Sequence, residues 1–447
     1  MPALAVRSSL SPRLAPLALR LLTLLAAVLL LAGTAQATTV QRVTTPAGIE
    51  VWLVEDHTVP LIAMDFAFRG GASQDPAGRP GVASLLSTLL DEGAGDMDGP
   101  TFQRRLDETA VRLSFDAGRD AFSGHLGTLA DRREQAFDLL ALALNEPRFD
   151  ADAIERMRAQ LLSSLRRNAT DPEEIATRTF SRLVFGDHPY ARPVEGTPET
   201  MAEITRDDIV AYREATFARS NLVIGVVGAV SAADLGPLVD KAFAGLPETA
   251  KLVEVPEAAP TFGDTASEAL PNPQTVIRIG TGGLLRQDPD YIPAYVLNEI
   301  LGGGTFSSRL YTEIREKRGL AYSTWSAMVP LDHAGLFLAG TATRADKAGE
   351  VVELMTAEIR KMAEAGPSEQ ELAATKKYLV GSYALRFDSS AKIAAQLVGL
   401  QLDGMPIDYF DTRNALIEAV TLDDLRRVAK RLLSTPLTVV TVGPTSS

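Results

Sequence analysis

Apolar positions along this chain follow two rhythms, one near the helical period and one alternating, and together they predict strands interleaved with long helices. In GVASLLSTLLDEGA, Gly81 to Ala94, residues Val82, Leu85, Leu86, Leu89 and Leu90 share one helical face, and Gly93 is placed to end the helix. The run NEILGGGTFSSRLYTEIREKRGLAYS, Asn298 to Ser323, reads as an apolar helix interrupted by Gly302, Gly303 and Gly304. A second helix follows, with Phe306, Leu310 and Ile314 four residues apart. Gly319 is placed as its C-cap, and Leu320, Ala321 and Tyr322 open a strand.

The pattern repeats weakly at a period of about 210 to 218 residues. ITRDDIVAYREATFARSNLVIGVVGAV, from Ile204, returns as VTLDDLRRVAKRLLSTPLTVVTVGPT, from Val420. Each copy predicts a helix capped by Thr-x-Asp-Asp and then an apolar strand ending at Gly228 or Gly443. AMDFAFRGGASQD, from Ala63, pairs in the same way with VIRIGTGGLLRQD, from Val276, and the Gly81 helix with one starting near Asp290. Between the halves, Leu246 to Gln274 holds five prolines and little periodicity, so it reads as an extended linker. The fold class that follows is α+β, with two homologous domains at 38–245 and 275–447, each a layer of helices on a mostly antiparallel sheet.

Ahead of the first domain, Arg7, Arg13 and Arg20 precede an apolar core, Leu21 to Ala32, in which Thr23 is the one polar residue, and Ala35-Gln36-Ala37 offers a small-x-small cleavage site. This predicts a signal peptide cleaved after Ala37 and points to a bacterial periplasm. A mitochondrial transit peptide is the competing reading, since the first acid is Glu50, but such peptides are amphipathic and this core is continuous. Losing the three arginines takes the formal net charge of −13 to −16, which disfavours nucleic acid and anionic membranes as partners. There is no cysteine, so no disulfide framework and no thiolate ligand.

The Asn298–Ser323 tract, the order of the other motifs and the HPYARPVEG loop, His188 to Gly196, resemble the insulinase/pitrilysin-type zinc peptidases, the family that includes mitochondrial processing peptidase. The resemblance implies a clam-like shell of which two such domains form one half. It also implies a zinc site on the first-domain helix, written H-x-x-E-H, with a further Glu on a helix downstream. Here the matching positions are Ser84, Ser87 and Thr88, and then Ser163 and Ser164. Neutral hydroxyls do not replace imidazole and carboxylate around zinc. The four histidines, His57, His125, His188 and His333, lie too far apart in sequence for a helical pair. The expectation is therefore no metal in this chain and zinc in a homologous H-x-x-E-H partner.

In the family an Arg near a helix end and a Tyr seven residues later meet the substrate, and these positions are Arg315 and Tyr322 here. A guanidinium grips peptide carbonyls, and a phenol donates to a developing oxyanion. Gly302, Gly303 and Gly304 would let an extended peptide approach the backbone, or would serve backbone geometry alone. The expected function is the non-zinc subunit of a heterodimeric periplasmic metallopeptidase, supplying Arg315 and Tyr322 to peptide hydrolysis in the shared chamber. The alternative is a catalytically inert structural or peptide-binding, chaperone-like homodimer.

Overall fold

The structure, a computed structural model, describes residues 39–304 and 306–444. The export segment and its cleavage point after Ala37 lie outside the described residues. From Val40 onward the chain forms one unit built on two sheets. The first contains β1 (Gln41–Thr44), β2 (Glu50–Glu55), β3 (Leu61–Arg69), β4 (Arg112–Ala117), β5 (Ala121–Leu129) and β6 (Leu222–Gly228). Their order in space is β1-β2-β6-β3-β5-β4. The second contains β7 (Thr265–Ala269), β8 (Gln274–Gly282), β9 (Ala321–Leu331), β10 (Ala334–Arg344) and β11 (Thr438–Gly443), in the order β9-β10-β8-β11-β7.

Strand for strand, β2, β6, β3, β5 and β4 recur as β7, β11, β8, β10 and β9. Neighbours are antiparallel except β2 with β6 and β7 with β11, and that exception falls at the same place in both sheets. The α+β class and the two-domain design are thus present. So are both Thr-x-Asp-Asp caps: Thr205 with Asp208, and Thr421 with Asp424, close reciprocal capping boxes on the helices Arg206–Thr216 and Leu422–Leu433.

The supposed linker holds more structure than its composition suggests. Thr265–Ala269 is β7, so the second repeat reaches back to Thr265. The proline-rich stretch before it is docked, with the Ala258 N–H donating to the His333 carbonyl and the Thr261 N–H to the Val184 carbonyl, both at 3.0 Å. A short edge strand draws its stability from a neighbour some 170 residues away in the sequence, here β11, so no local pattern announces it.

Each sheet carries its own helices on one face. Along β3, Met64, Phe66 and Phe68 point into that layer, where Phe66 meets Phe243 edge-on at 5.1 Å and Phe68 stacks on Phe217 at 4.4 Å. The opposite face is covered by a helix from the other half. Ser390–Leu402 sets Ala394 and Leu397 against Trp52, Val54 and Val227 of the first sheet. Reciprocally, Pro172–Phe185 sets Phe180 and Val184 against Val276, Val440 and Val442 of the second. The two halves are therefore interlocked rather than merely tethered.

Candidate functional site

The glycine triplet lies where the helix Tyr291–Asn298 runs into a wider, π-type turn, Glu299–Gly303. Gly302 is pressed against β9: a Cβ there would stand 2.5 Å from Ser326 Oγ and 2.8 Å from the Ser326 backbone nitrogen. Ser326 Oγ in turn donates to Asn298 Oδ1 at 2.8 Å. Close backbone approach accounts for glycine at this position. Gly304 borders a cavity of about 220 Å³ that is shared with Glu299, Gln370 and Tyr378.

Beyond the triplet the expected helix begins late. Arg309–Tyr311 is α-helical and Thr312–Glu316 continues as a π-type turn. Leu310 and Ile314 are buried as their spacing predicts, but Phe306 precedes the helix and is 69 % exposed. The expectation that Phe306 shares their buried face is therefore corrected, because the chain unwound by the glycines has not resumed helical geometry there. Its ring lies edge-on to Tyr311 at 5.5 Å instead. The helix closes at Gly319, whose φ of +62 suits glycine, with the Gly319 N–H bonded to the Arg315 carbonyl and the Leu320 N–H to the Ile314 carbonyl.

This geometry brings Arg315 and Tyr322 together. The Arg315 guanidinium lies 4.7 Å from the centre of the Tyr322 ring and 5.1 Å from that of Tyr311. Tyr311 is buried, whereas Tyr322 is 83 % exposed. Glu313, two residues before Arg315, is engaged by Lys317 and Arg318, and both hold its carboxyl below the usual range. Among the described residues Arg315 has no carboxylate within 4.0 Å. Stacking on ring faces fixes the plane of the guanidinium, contributes about 0.5–1 kcal/mol at an exposed site, and leaves the N–H edge for a further acceptor. Tyr311 lies four residues before Arg315, a spacing that sets the two on one helical face.

The first-half positions differ in kind. Val82–Ser87 forms a helix of only six residues, shorter than its apolar pattern predicts, while Leu89 and Leu90 stay buried beyond its end. Ser87 Oγ donates to the Ser84 carbonyl and Thr88 Oγ1 to the Leu85 carbonyl, both at 2.8 Å. Hydroxyls that bond their own backbone in this way favour helix termination. Ser163, on the helix Ala151–Asn168, accepts from Arg167 at 2.9 Å. No hydrogen bond or ion pair among the described residues joins these positions to Arg315 or Tyr322.

The donor set does not fit zinc. Among the described residues no three His, Asp or Glu side chains converge to hold a metal. Each histidine has another partner: His57 with Glu55 at 2.8 Å, His125 with Asp65, His188 with the Pro256 carbonyl at 2.8 Å, and His333 with Glu257 at 3.2 Å. No helix among the described residues is long and apolar enough to cross a membrane.

Comparison with known proteins agrees with this picture. Residues 50–198 match the profile of the insulinase peptidases, Peptidase family M16, and residues 203–379 match that of the Peptidase M16 inactive domain. The chain belongs to the insulinase family. A crystal structure of a peptidase M16 inactive domain from Pseudomonas fluorescens superposes with a TM-score of 0.86 at 29 % identity, covering 91 % of this chain and 99 % of that one. The non-peptidase homolog YmxG of Helicobacter pylori is 27 % identical over 86 % of this chain and 89 % of its own length. An uncharacterized zinc protease of Streptomyces coelicolor is 26 % identical over 91 % and 90 % respectively.

Proposed function

We propose that this chain is the zinc-free subunit of a two-chain periplasmic peptidase. It would close a chamber against a homologous H-x-x-E-H subunit that holds the zinc. The observation that carries this reading is Arg315, stacked on Tyr311 and the exposed Tyr322 with no carboxylate partner among the described residues. Stacking without an ion pair leaves the half-buried guanidinium free to take an acceptor, and the exposed Tyr322 can offer its hydroxyl to a ligand. In the complex Arg315 grips a substrate carbonyl and Tyr322 donates to the oxyanion as water adds to the scissile bond. Gly304, beside its cavity, gives an extended peptide room along the backbone. The periplasmic setting is supported by the apolar, arginine-flanked N-terminal segment.

Reconstitution with an H-x-x-E-H homologue provides the test. Tyr322→Phe removes one hydroxyl and keeps the stacked ring, so assembly is retained while kcat falls about a hundredfold and KM changes little. Arg315→Ala lowers kcat/KM, with the larger share in KM. An intact, zinc-loaded complex carrying both substitutions and turning over at the wild-type rate would remove the catalytic role. The designation of the Helicobacter pylori relative as a non-peptidase favours a second reading, an inert peptide-binding homodimer. Native mass of the purified particle separates the two.

A further inference from the structure

On the second half, a cavity of about 420 Å³ whose lining includes neither Arg315 nor Tyr322 opens where the crossing helix Ser390–Leu402 meets the helices Tyr291–Asn298 and Tyr409–Ala419. Its walls are built from two arginine–tyrosine stacks. The Arg286 guanidinium lies between Tyr291, at 4.4 Å, and Tyr409, at 5.1 Å. That of Arg413 lies between Tyr383, at 4.1 Å, and Tyr295, at 5.7 Å. Arg386 stands at the exposed mouth.

The charges do not balance. Arg286 is paired with Asp403 at 3.1 Å, and Asp403 is the one acidic side chain on the wall. Arg413 is only 5 % exposed, yet among the described residues no carboxylate lies within 4.0 Å of it. Its N–H groups reach neutral acceptors alone: the Leu379 carbonyl at 3.3 Å, Asn414 Oδ1 at 3.1 Å and the Tyr295 hydroxyl at 3.4 Å. Arg386 also donates to the Tyr295 hydroxyl, at 3.3 Å. That oxygen thus accepts from two guanidinium groups, and its own hydrogen remains to donate elsewhere. Glu299 interacts with Arg386 and Arg413, but burial raises its pKa and it borders a separate cavity.

A buried guanidinium with neutral partners only, in a chain of formal net charge −13, calls for an anion. The aromatic walls call for an apolar body attached to it. We propose that this cavity binds an organic carboxylate bearing an aromatic or apolar group, the chemistry shared by a free amino acid derivative and a peptide C-terminus. The carboxylate sits against Arg386, Arg413 and the Tyr295 hydroxyl, and the side group lies among the tyrosine rings. A guanidinium–carboxylate contact is charge-assisted and directional, which distinguishes the acid from its amide. The excess of positive charge is greater here than in the cavity beside the reciprocal crossing helix, which sets Glu174 and Glu195 among its arginines. The site involves neither zinc nor Arg315, so it stands or falls independently of the peptidase reading.

Calorimetric titration of the full mature chain with N-acetylphenylalanine, N-acetylphenylalaninamide and a short N-acetylated peptide ending in Phe tests the proposal. The free acid should bind at millimolar concentration or below, and the amide about tenfold more weakly or not at all. Comparable binding of the peptide identifies a C-terminus as the ligand, and its exclusion identifies a small free acid. Arg413→Ala risks unfolding, so the informative variants are Arg386→Ala, at the exposed mouth, and Tyr295→Phe, which keeps the stacked ring. Each should weaken the acid about tenfold with Tm preserved. Failure of the wild-type chain to bind the acid, equal affinity for acid and amide, or insensitivity of folded Arg386→Ala and Tyr295→Phe would each overturn it.

Discussion

Gly302 has no space for a methyl group, because the atoms it would meet include the backbone nitrogen of Ser326 as well as its movable hydroxyl. Gly302→Ala should therefore push the Glu299–Gly303 turn off β9 and lower stability by about 1–3 kcal/mol, measured by denaturant unfolding. A loss below a few tenths of a kcal/mol would mean that the strand yields freely. Tyr311 offers a second test at this scale. Tyr311→Leu keeps an apolar side chain under the helix but removes one of the two ring faces holding Arg315. In a reconstituted complex its effect should appear mainly in KM, resembling a mild Arg315→Ala, while Tyr322→Phe acts on kcat. Arg315 and Tyr322 were picked out in the sequence only through the family resemblance. Their contact with each other was not, because it crosses the helix end closed by Gly319.

Two carboxylates at helix starts show how the same residue chemistry takes opposite pH signs in different elements. Glu371 accepts from Arg309 through two nitrogens, at 2.6 and 2.9 Å, and from the Ser368 N–H at 2.7 Å, where it caps the helix Glu369–Gly381. These donors, Arg309 first, lower its pKa from 4.5 to about 2. Its contribution is thus fully present above about 4.5 and is lost as pH falls through about 2. Asp75 is the reverse case. It accepts from the Gly81 and Ala83 N–H groups at 2.7 and 2.9 Å, at the start of the Val82–Ser87 helix. Burial outweighs those donors and raises its pKa from 3.8 to about 7. The stability it contributes is fully present below about 3.8 and is lost as pH rises through about 7. Unfolding free energies measured across pH should show Glu371→Gln flattening the acid limb and Asp75→Asn flattening the decline toward neutrality. An Asp75→Asn profile parallel to wild type would refute the second assignment.

The reciprocal crossing of Pro172–Phe185 and Ser390–Leu402 makes the two sheets one cooperative structure. Each half expressed alone would expose the sheet face that the other half covers, and should be insoluble or unfolded. A chain cut within the proline-rich segment near the exposed Val253, by contrast, should stay associated and keep a single unfolding transition in calorimetry. Leu397→Ala, removing a fully buried side chain at the crossing, should lower stability by about 2–5 kcal/mol and shift that one transition as a whole. Two resolved transitions in the intact chain would contradict the interlock.

The sequence by itself determined whatever rests on neighbours a few positions apart. The Thr205 and Thr421 capping boxes, the Gly319 helix stop, the burial of Leu310 and Ile314 and the hydroxyls at Ser84, Ser87 and Thr88 depend on spacings of three and four residues or on residue identity. Local backbone geometry enforces these wherever the chain folds. The internal repeat added the two-domain design, because similar patterns in similar order build similar sheets. Tertiary structure alone decided the rest. The pairing of Thr265–Ala269 with Thr438–Gly443, the helices exchanged between sheets, the exposure of Phe306 and the stacks of Tyr409 on Arg286 and Tyr295 on Arg413 all join residues far apart in sequence or reverse a local preference. Such contacts are selected by the packing of whole surfaces, and no periodicity within one segment records which distant surface it will meet.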